Sequence, residues 1–147
     1  MQRNNPFAGT YTALITPFTL SGRLDEVRFQ QQIERQIAAG VDGIVPVGTS
    51  GESPTLTFEE HLRVIKLAVE YAAGRVKVLA GTGANSTSEA IQLTKGAEDA
   101  GADSSLQVAP YYNRPTQEGL FRHFTAIADA TRLSIVLYNI PSRCGVD

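Results

Sequence analysis

Ten residues of this chain are of types that could bind a small acid and move its protons, and each falls just beyond an apolar run. They are Thr16, Thr49, Ser50, Asn85, Tyr111, Tyr112, Tyr138, Asn139, Ser142 and Arg143. The set is rich in hydroxyls, carries one guanidinium, and contains neither a carboxylate pair nor a histidine. Such groups bind a carboxylate through arginine and backbone N–H donors and pass protons through phenol and hydroxyl oxygens. The chemistry that suits them is that of a small keto acid.

The best defined of these segments is Val45-Pro46-Val47-Gly48-Thr49-Ser50-Gly51-Glu52-Ser53, where an apolar run gives way to small and hydroxyl-bearing residues. Thr57-Phe58-Glu59-Glu60 follows as a capping box, so the unit reads strand, loop, helix. Competing motifs fail on spacing. Gly48-Thr49-Ser50-Gly51 is one residue short of the Gly-x-Ser-x-Gly elbow of serine hydrolases, and no histidine follows at another strand end. His61 and His123 lie on separate predicted helices without further ligands at metal spacing, so they are expected to be exposed or internally satisfied. No metal site is expected.

The elements that must position these residues recur. Strands are predicted over 10–16, 43–47, 76–80, 104–109 and 134–139. Helices are predicted between them: one from the N-cap Asp25 with Phe29, Ile33 and Ile37 on one face and Gly40 at its end, and one from Thr57 with Leu62, Ile65, Val69 and Ala72 inward. A third opens on a capping box of Ser86 and Glu89 and carries Ile91, Thr94 and Ala97, and a fourth is capped by Thr116 with Leu120, Phe124, Ile127 and Ala128 inward. The strand-helix unit repeats after roughly thirty residues, the spacing of right-handed βαβ crossovers. The fold class is α/β with a parallel sheet, and the loops after all five strands gather on one face.

Two architectures use this repeat, the closed eight-stranded barrel and the open doubly wound sheet. The barrel is favoured. No Gly-x-Gly-x-x-Gly follows the first strand, and Gly81-x-Gly83 has Ser86 in the third place. Ser105, Gln107 and Ala109, alternating with Leu106 and Val108, suit a polar or small lining at a barrel axis. Five strands do not close such a barrel, so residues 1–147 read as one domain forming only part of it.

Composition bounds the rest. The chain has 147 residues, 42% of them hydrophobic and 19% charged, with a formal net charge of -2. No apolar run is long enough to span a bilayer, and no cluster of Lys and Arg offers a footprint for nucleic acid. The opening residues lack a secretory core and Cys144 is the single cysteine, so a cytoplasmic setting is expected.

With its motifs in hand, the chain resembles the dihydrodipicolinate synthase family over its whole length. The resemblance rests on Gly48-Thr49-Ser50-Gly51-Glu52-Ser53, Gly81-Thr82-Gly83-Ala84-Asn85, Pro110-Tyr111-Tyr112-Asn113-Arg114-Pro115-Thr116-Gln117-Glu118-Gly119 and Tyr138-Asn139-Ile140-Pro141-Ser142-Arg143, four motifs in order. It implies a TIM (β/α)8 barrel, of which the first five strands and four helices are present. It implies condensation of pyruvate with aspartate semialdehyde through a lysine Schiff base in lysine biosynthesis, without a separate cofactor. By position, Thr49 and Tyr138 belong to a proton relay, with Tyr112 crossing a tight dimer interface to the neighbouring site. A homo-oligomer is thereby implied. Ser50, usually Thr in the family, helps hold the pyruvate carboxylate, and Arg143 binds the semialdehyde carboxylate. N-acetylneuraminate lyase and related pyruvate aldolases share the first loop and the Tyr-Asn-x-Pro segment but generally lack this arginine. Cys144 stands where the family commonly has Thr and reads as structural.

In lysine-inhibited members an effector binds near the tight dimer interface, and the matching positions are Ser53, His61, Asn85, Glu89 and Tyr111. Phe58 replaces a second histidine that some of those members have. The Schiff-base lysine has no counterpart: Lys66, Lys77 and Lys95 are the three lysines, and none stands at a strand's carboxyl end. In the family that lysine comes from the sixth strand, past Asp147. The chain is therefore expected to be inactive by itself, as an excised or designed fragment or a natural truncation, and a self-associating half-barrel without catalysis is the competing reading.

Overall fold

A computed structural model describes residues 7–147. Five strands form one sheet in the order β1-β2-β3-β4-β5, every neighbouring pair parallel. They are β1 (Tyr11–Ala13), β2 (Gly43–Val45), β3 (Lys77–Gly81), β4 (Ser104–Val108) and β5 (Ser134–Tyr138). Helices α1 (Glu26–Ala38), α2 (Phe58–Ala72), α3 (Thr87–Ala100) and α4 (Gln117–Asp129) fill the crossovers. A fifth helix, α5 (Pro141–Cys144), corrects the expected count of four. It is a single turn nucleated by a proline at its first position, too short for any periodicity to reveal.

Local chemistry explains the helix boundaries. Asp25 accepts from the Arg28 N–H at 3.0 Å to open α1, and Gly40 follows its end at φ 81°. Thr57 and Glu60 satisfy one another's backbone N–H groups at 3.2 and 2.9 Å, a complete capping box for α2. Only half of the expected second box forms. Ser86 accepts from the Glu89 N–H at 3.4 Å, while the Glu89 carboxylate acts on Tyr111, whose phenol it helps push to higher pKa. Strands β1 and β2 are shorter than expected: after Leu14 the Ile15 N–H and carbonyl bond the Gln32 side chain of α1 instead of a neighbouring strand, and beyond Val45 the chain turns through the left-handed Val47.

The core lies between the sheet and its helices. Leu14, Ile44, Val78 and Ala80 meet Phe29, Ile33, Val64, Ile65 and Ala68 there, all at 3% exposure or less. Ala84, Leu93 and Ile127 continue it under α3 and α4, with His123 buried in place of the expected Ala128, which is exposed. Two bidentate pairs at the surface tie α1 to its neighbours, Glu26 to Arg63 of α2 and Glu34 to Arg75 in the turn after α2. Pairs this exposed are screened by solvent and add little to stability.

The register reverses one expectation. In a parallel pair, partnered residues face the same side, and Ser105 is partnered with Ala80 and Ile135, both in the helix-side core. Ser105 and Gln107 therefore face the helices, while Leu106 and Val108 face the barrel axis. The polar pair is partly satisfied by internal bonds: Gln107 Nε2 lies 2.8 to 2.9 Å from the hydroxyls of Thr82, Thr94 and Ser105, and Thr94 donates to the Ala90 carbonyl at 2.7 Å, while Gln107 Oε1 is buried without a partner. Small hydroxyls and one amide thus bridge β3, β4 and α3.

Candidate active site

The carboxyl ends of the strands open on a cavity of about 270 Å³. Its walls are Val47, Gly48 and Thr49 after β2, Gly81 at the end of β3 and Gly83 beyond it, Leu106 and Val108 from β4, and Tyr138 at the end of β5. Ser53, Pro54, Tyr111, Ile140, Arg143 and Cys144 complete it. An apolar floor with a few convergent polar groups is the ordinary form of a small-molecule site.

Backbone geometry accounts for the shape. A Cβ at Gly81 would stand 2.1 Å from the Val47 carbonyl oxygen, and one at Gly83 would stand 2.5 Å from the Val108 nitrogen. Both positions must be glycine for β3 to lie this close to its neighbours. Beyond β2 the chain enters a 3₁₀ turn, Thr49–Gly51, and a second, Ser53–Thr55, follows it. The partner of Val108 in the β4–β5 register is Tyr138, which puts its phenol on the axis side. Arg143 rides on α5, which ends at Gly145 with φ 71°.

Of the residues expected to act, Thr49, Tyr138 and Arg143 share the cavity. Ser50 is exposed in the same turn. Tyr112 is outside the lining, 93% exposed, on a left-handed backbone of φ 74°. Of the expected effector group, Ser53 and Tyr111 line the cavity, and Asn85 Nδ2 donates to the Tyr111 carbonyl at 3.4 Å. Burial, then the charge of Glu89, raises the Tyr111 phenol pKa, so it stays protonated at neutral pH. His61 is only 4% exposed, and its Nε2 lies 2.7 Å from the Gly81 carbonyl. A carbonyl only accepts, so Nε2 carries the proton. Burial lowers this imidazole's pKa, which keeps it neutral.

His123, also buried, pairs Nδ1 with the Thr87 hydroxyl at 2.8 Å. The Cys144 thiol donates to the Ala109 carbonyl at 3.2 Å, and burial raises its pKa, so it packs as a thiol. Lysine is absent from the lining. Lys66 and Lys95 are exposed on helix surfaces, and Lys77 pairs with Asp103 at 2.6 Å at the opposite end of the sheet. No helix is long and apolar enough to cross a membrane among the described residues.

The residues missed by sequence reasoning are the apolar walls Leu106, Val108 and Ile140 and the two close-approach glycines. The signal available was Gly81-x-Gly83 at a strand end, where two missing side chains on one face mark close contact. What the arrangement offers is two hydroxyl residues, Thr49 and Ser53, two tyrosines, Tyr111 and Tyr138, and the Arg143 guanidinium around one apolar chamber. These can hold a carboxylate and carry a proton.

Comparison with known proteins identifies the family and the fold. The 4-hydroxy-tetrahydrodipicolinate synthase of Agrobacterium fabrum is 58% identical over 141 residues, which cover 96% of this chain and 48% of that enzyme. The solved structure of the synthase from Methylacidiphilum fumariolicum SolV superposes with a TM-score of 0.92 at 60% identity, covering 95% of this chain and 46% of that one. The Acinetobacter baumannii dihydrodipicolinate synthase, solved in complex with pyruvate, superposes with a TM-score of 0.92 at 51% identity, covering 95% of this chain and 48% of its own. The chain thus spans about half the length of the relatives it matches, and its five strands are part of the barrel that they form. The dihydrodipicolinate synthetase family profile matches residues 6–147, and the chain belongs to that family.

Proposed function

We propose that this chain supplies the amino-terminal half of a site that condenses pyruvate with aspartate semialdehyde, the reaction of 4-hydroxy-tetrahydrodipicolinate synthase. The observation that carries this reading is the meeting of Thr49, Tyr138 and Arg143 in one cavity at the carboxyl ends of a parallel sheet. Hydroxyls and N–H groups of Thr49 and Ser50 hold the pyruvate carboxylate. A lysine amine, which this chain does not supply at the cavity, attacks the keto carbon. Loss of water gives the Schiff base, and removal of a methyl proton gives the enamine that adds to the aldehyde carbon of the second substrate. Thr49 and Tyr138 pass the protons, with Tyr112 reaching in from a neighbouring copy, and Arg143 pairs with the semialdehyde carboxylate.

The test is a pyruvate titration followed by the amide resonances of Thr49, Ser50 and Gly51. A saturable shift confined to these and to Tyr138 is expected, and none at millimolar pyruvate would refute the assignment. Turnover is expected only when the carboxyl-terminal half of a relative is added.

A second reading has its own observation. Among the described residues the outer strands β1 and β5 each pair on one side only, and Ile15 and Leu137 are 57% and 61% exposed. Unpaired edges of this kind template association, so a self-associated half-barrel is the alternative state of the isolated chain. Sedimentation as a folded monomer at micromolar concentration would refute it. The effector assignment of Ser53, His61, Asn85, Glu89 and Tyr111 is part of the synthase reading, with Glu89 and Asn85 facing a lysine ammonium. Calorimetry on the reconstituted enzyme tests it, and absence of lysine binding would end it.

A further inference from the structure

The turn that carries Thr49 is held in a shape its own residues resist. Val47 before it has φ 54° and Glu52 after it has φ 61°. Left-handed backbone is costly for side-chain-bearing residues, most of all for a β-branched one, and persists only where the surroundings over-determine it. The turn therefore needs anchors at both ends.

The first anchor is the sheet. Gly81 N–H donates to the Pro46 carbonyl at 3.0 Å, and the Val47 side chain is 1% exposed. The second comes from another strand end. Thr16, which is 4% exposed and lies 35 positions earlier in sequence, donates its hydroxyl to the Gly51 carbonyl at 2.7 Å. Gly51 is itself buried, and a Cβ there would stand 3.2 Å from the Leu14 carbonyl oxygen and 3.4 Å from the Thr16 hydroxyl. The end of the 3₁₀ turn is thus pressed against the segment following β1. Its last carbonyl has no partner within the turn and would be buried unsatisfied without Thr16.

Thr16 is outside the cavity lining, so it touches no reacting group. We propose that Thr16 is a positioning residue: its hydroxyl latches the Gly51 carbonyl and so fixes the turn that presents Thr49 to the cavity. Its importance for the reaction rests on the keto-acid reading given above, but the latch itself can be tested without any ligand.

The experiment compares Thr16→Val, which keeps the shape and removes the hydroxyl, with Thr16→Ser, which keeps the hydroxyl. Amide hydrogen exchange is followed at Gly51 and Glu52, whose N–H groups donate to the Gly48 and Thr49 carbonyls at 3.0 and 3.1 Å. In Thr16→Val these two amides are expected to exchange about tenfold faster, while Leu67 and Ala68 in the buried face of α2 keep their protection. Thr16→Ser is expected to restore the wild-type rates. In a pyruvate titration Thr16→Val is expected to bind about tenfold more weakly and Thr16→Ser within about twofold of wild type. Unchanged exchange at Gly51 and Glu52 overturns the latch. Equal acceleration throughout, or a Thr16→Val chain that does not fold beside a Thr16→Ser chain that does, also overturns it, because the hydroxyl then serves the whole fold. Local acceleration in a chain whose wild type ignores pyruvate leaves the latch standing and removes the keto-acid reading instead.

Discussion

Replacing Gly81 by alanine puts one methyl group where the structure has backbone. The added carbon would stand 2.1 Å from the Val47 carbonyl oxygen, 2.6 Å from its carbon and 3.0 Å from the Gly48 nitrogen. None of these atoms belongs to a flexible side chain, so β3 must retreat from the β2 loop by about 1 Å to restore ordinary contact. That retreat pulls on the Gly81 N–H bond to Pro46 at 3.0 Å and on the His61 bond to the Gly81 carbonyl at 2.7 Å. Overpacking costs about 1–3 kcal/mol, and each of the two hydrogen bonds lost about 0.5–1.5 kcal/mol, so a loss of about 2–6 kcal/mol is expected. Against a total stability of about 5–15 kcal/mol the variant should fold but unfold at clearly lower urea. Gly48→Ala is the control, because the nearest atom to its added carbon is Val45 Cγ1 at 3.7 Å and its φ is -79°. That change should cost under about 1 kcal/mol. Urea unfolding followed by circular dichroism measures both, and amide shifts of Val47 to Thr49 report the displacement. Equal midpoints for the two variants, with unmoved loop resonances in Gly81→Ala, would refute the close-approach argument.

Three further outcomes are expected. Incubation with pyruvate and borohydride should leave the intact mass unchanged, because Lys66, Lys77 and Lys95 are exposed and outside the cavity; a stoichiometric adduct mapped to one of them would contradict this. The Glu98 carboxyl is lowered to about 2 by hydrogen bonds from the Thr131 hydroxyl and then from Arg132, so its contribution is full above its unfolded value and lost as pH falls through about 2. Glu98→Gln should accordingly narrow the difference in melting temperature between pH 5 and pH 2, and an unchanged difference would count against the pairing. Burial lowers the pKa values of both His61 and His123, so the unfolded chain takes up protons first as pH falls below about 6.5, and stability should decline from pH 7 toward pH 5. A double His61→Gln, His123→Gln variant should flatten that decline in urea titrations; an equally steep decline would assign it to other groups.

What could be read without tertiary structure follows from local rules. Periodicity and caps such as Asp25, Thr57 and Thr116 determine where α1, α2 and α4 begin, because capping is a contact between residues three apart. The recurring unit implies a parallel sheet, and a parallel sheet places every following loop on one face, which is why Thr49, Tyr138 and Arg143 could be grouped in advance. Only the assembled chain decides what depends on register and distance. Ser105 and Gln107 alternate as a lining would, yet period two says nothing about which face is which, and the pairing of Ser105 with Ala80 and Ile135 turns both toward the helices. Glu89 stands at the capping-box position, but only the Ser86 half of the box forms. The Thr16 latch joins residues 35 apart, and the strain at Val47 has no signature in residue type. Contacts between distant segments come into being only when the strands are stacked, so the sequence determined the elements and the face of the site, and the packing of β1, β2 and β3 decided how its central turn is held.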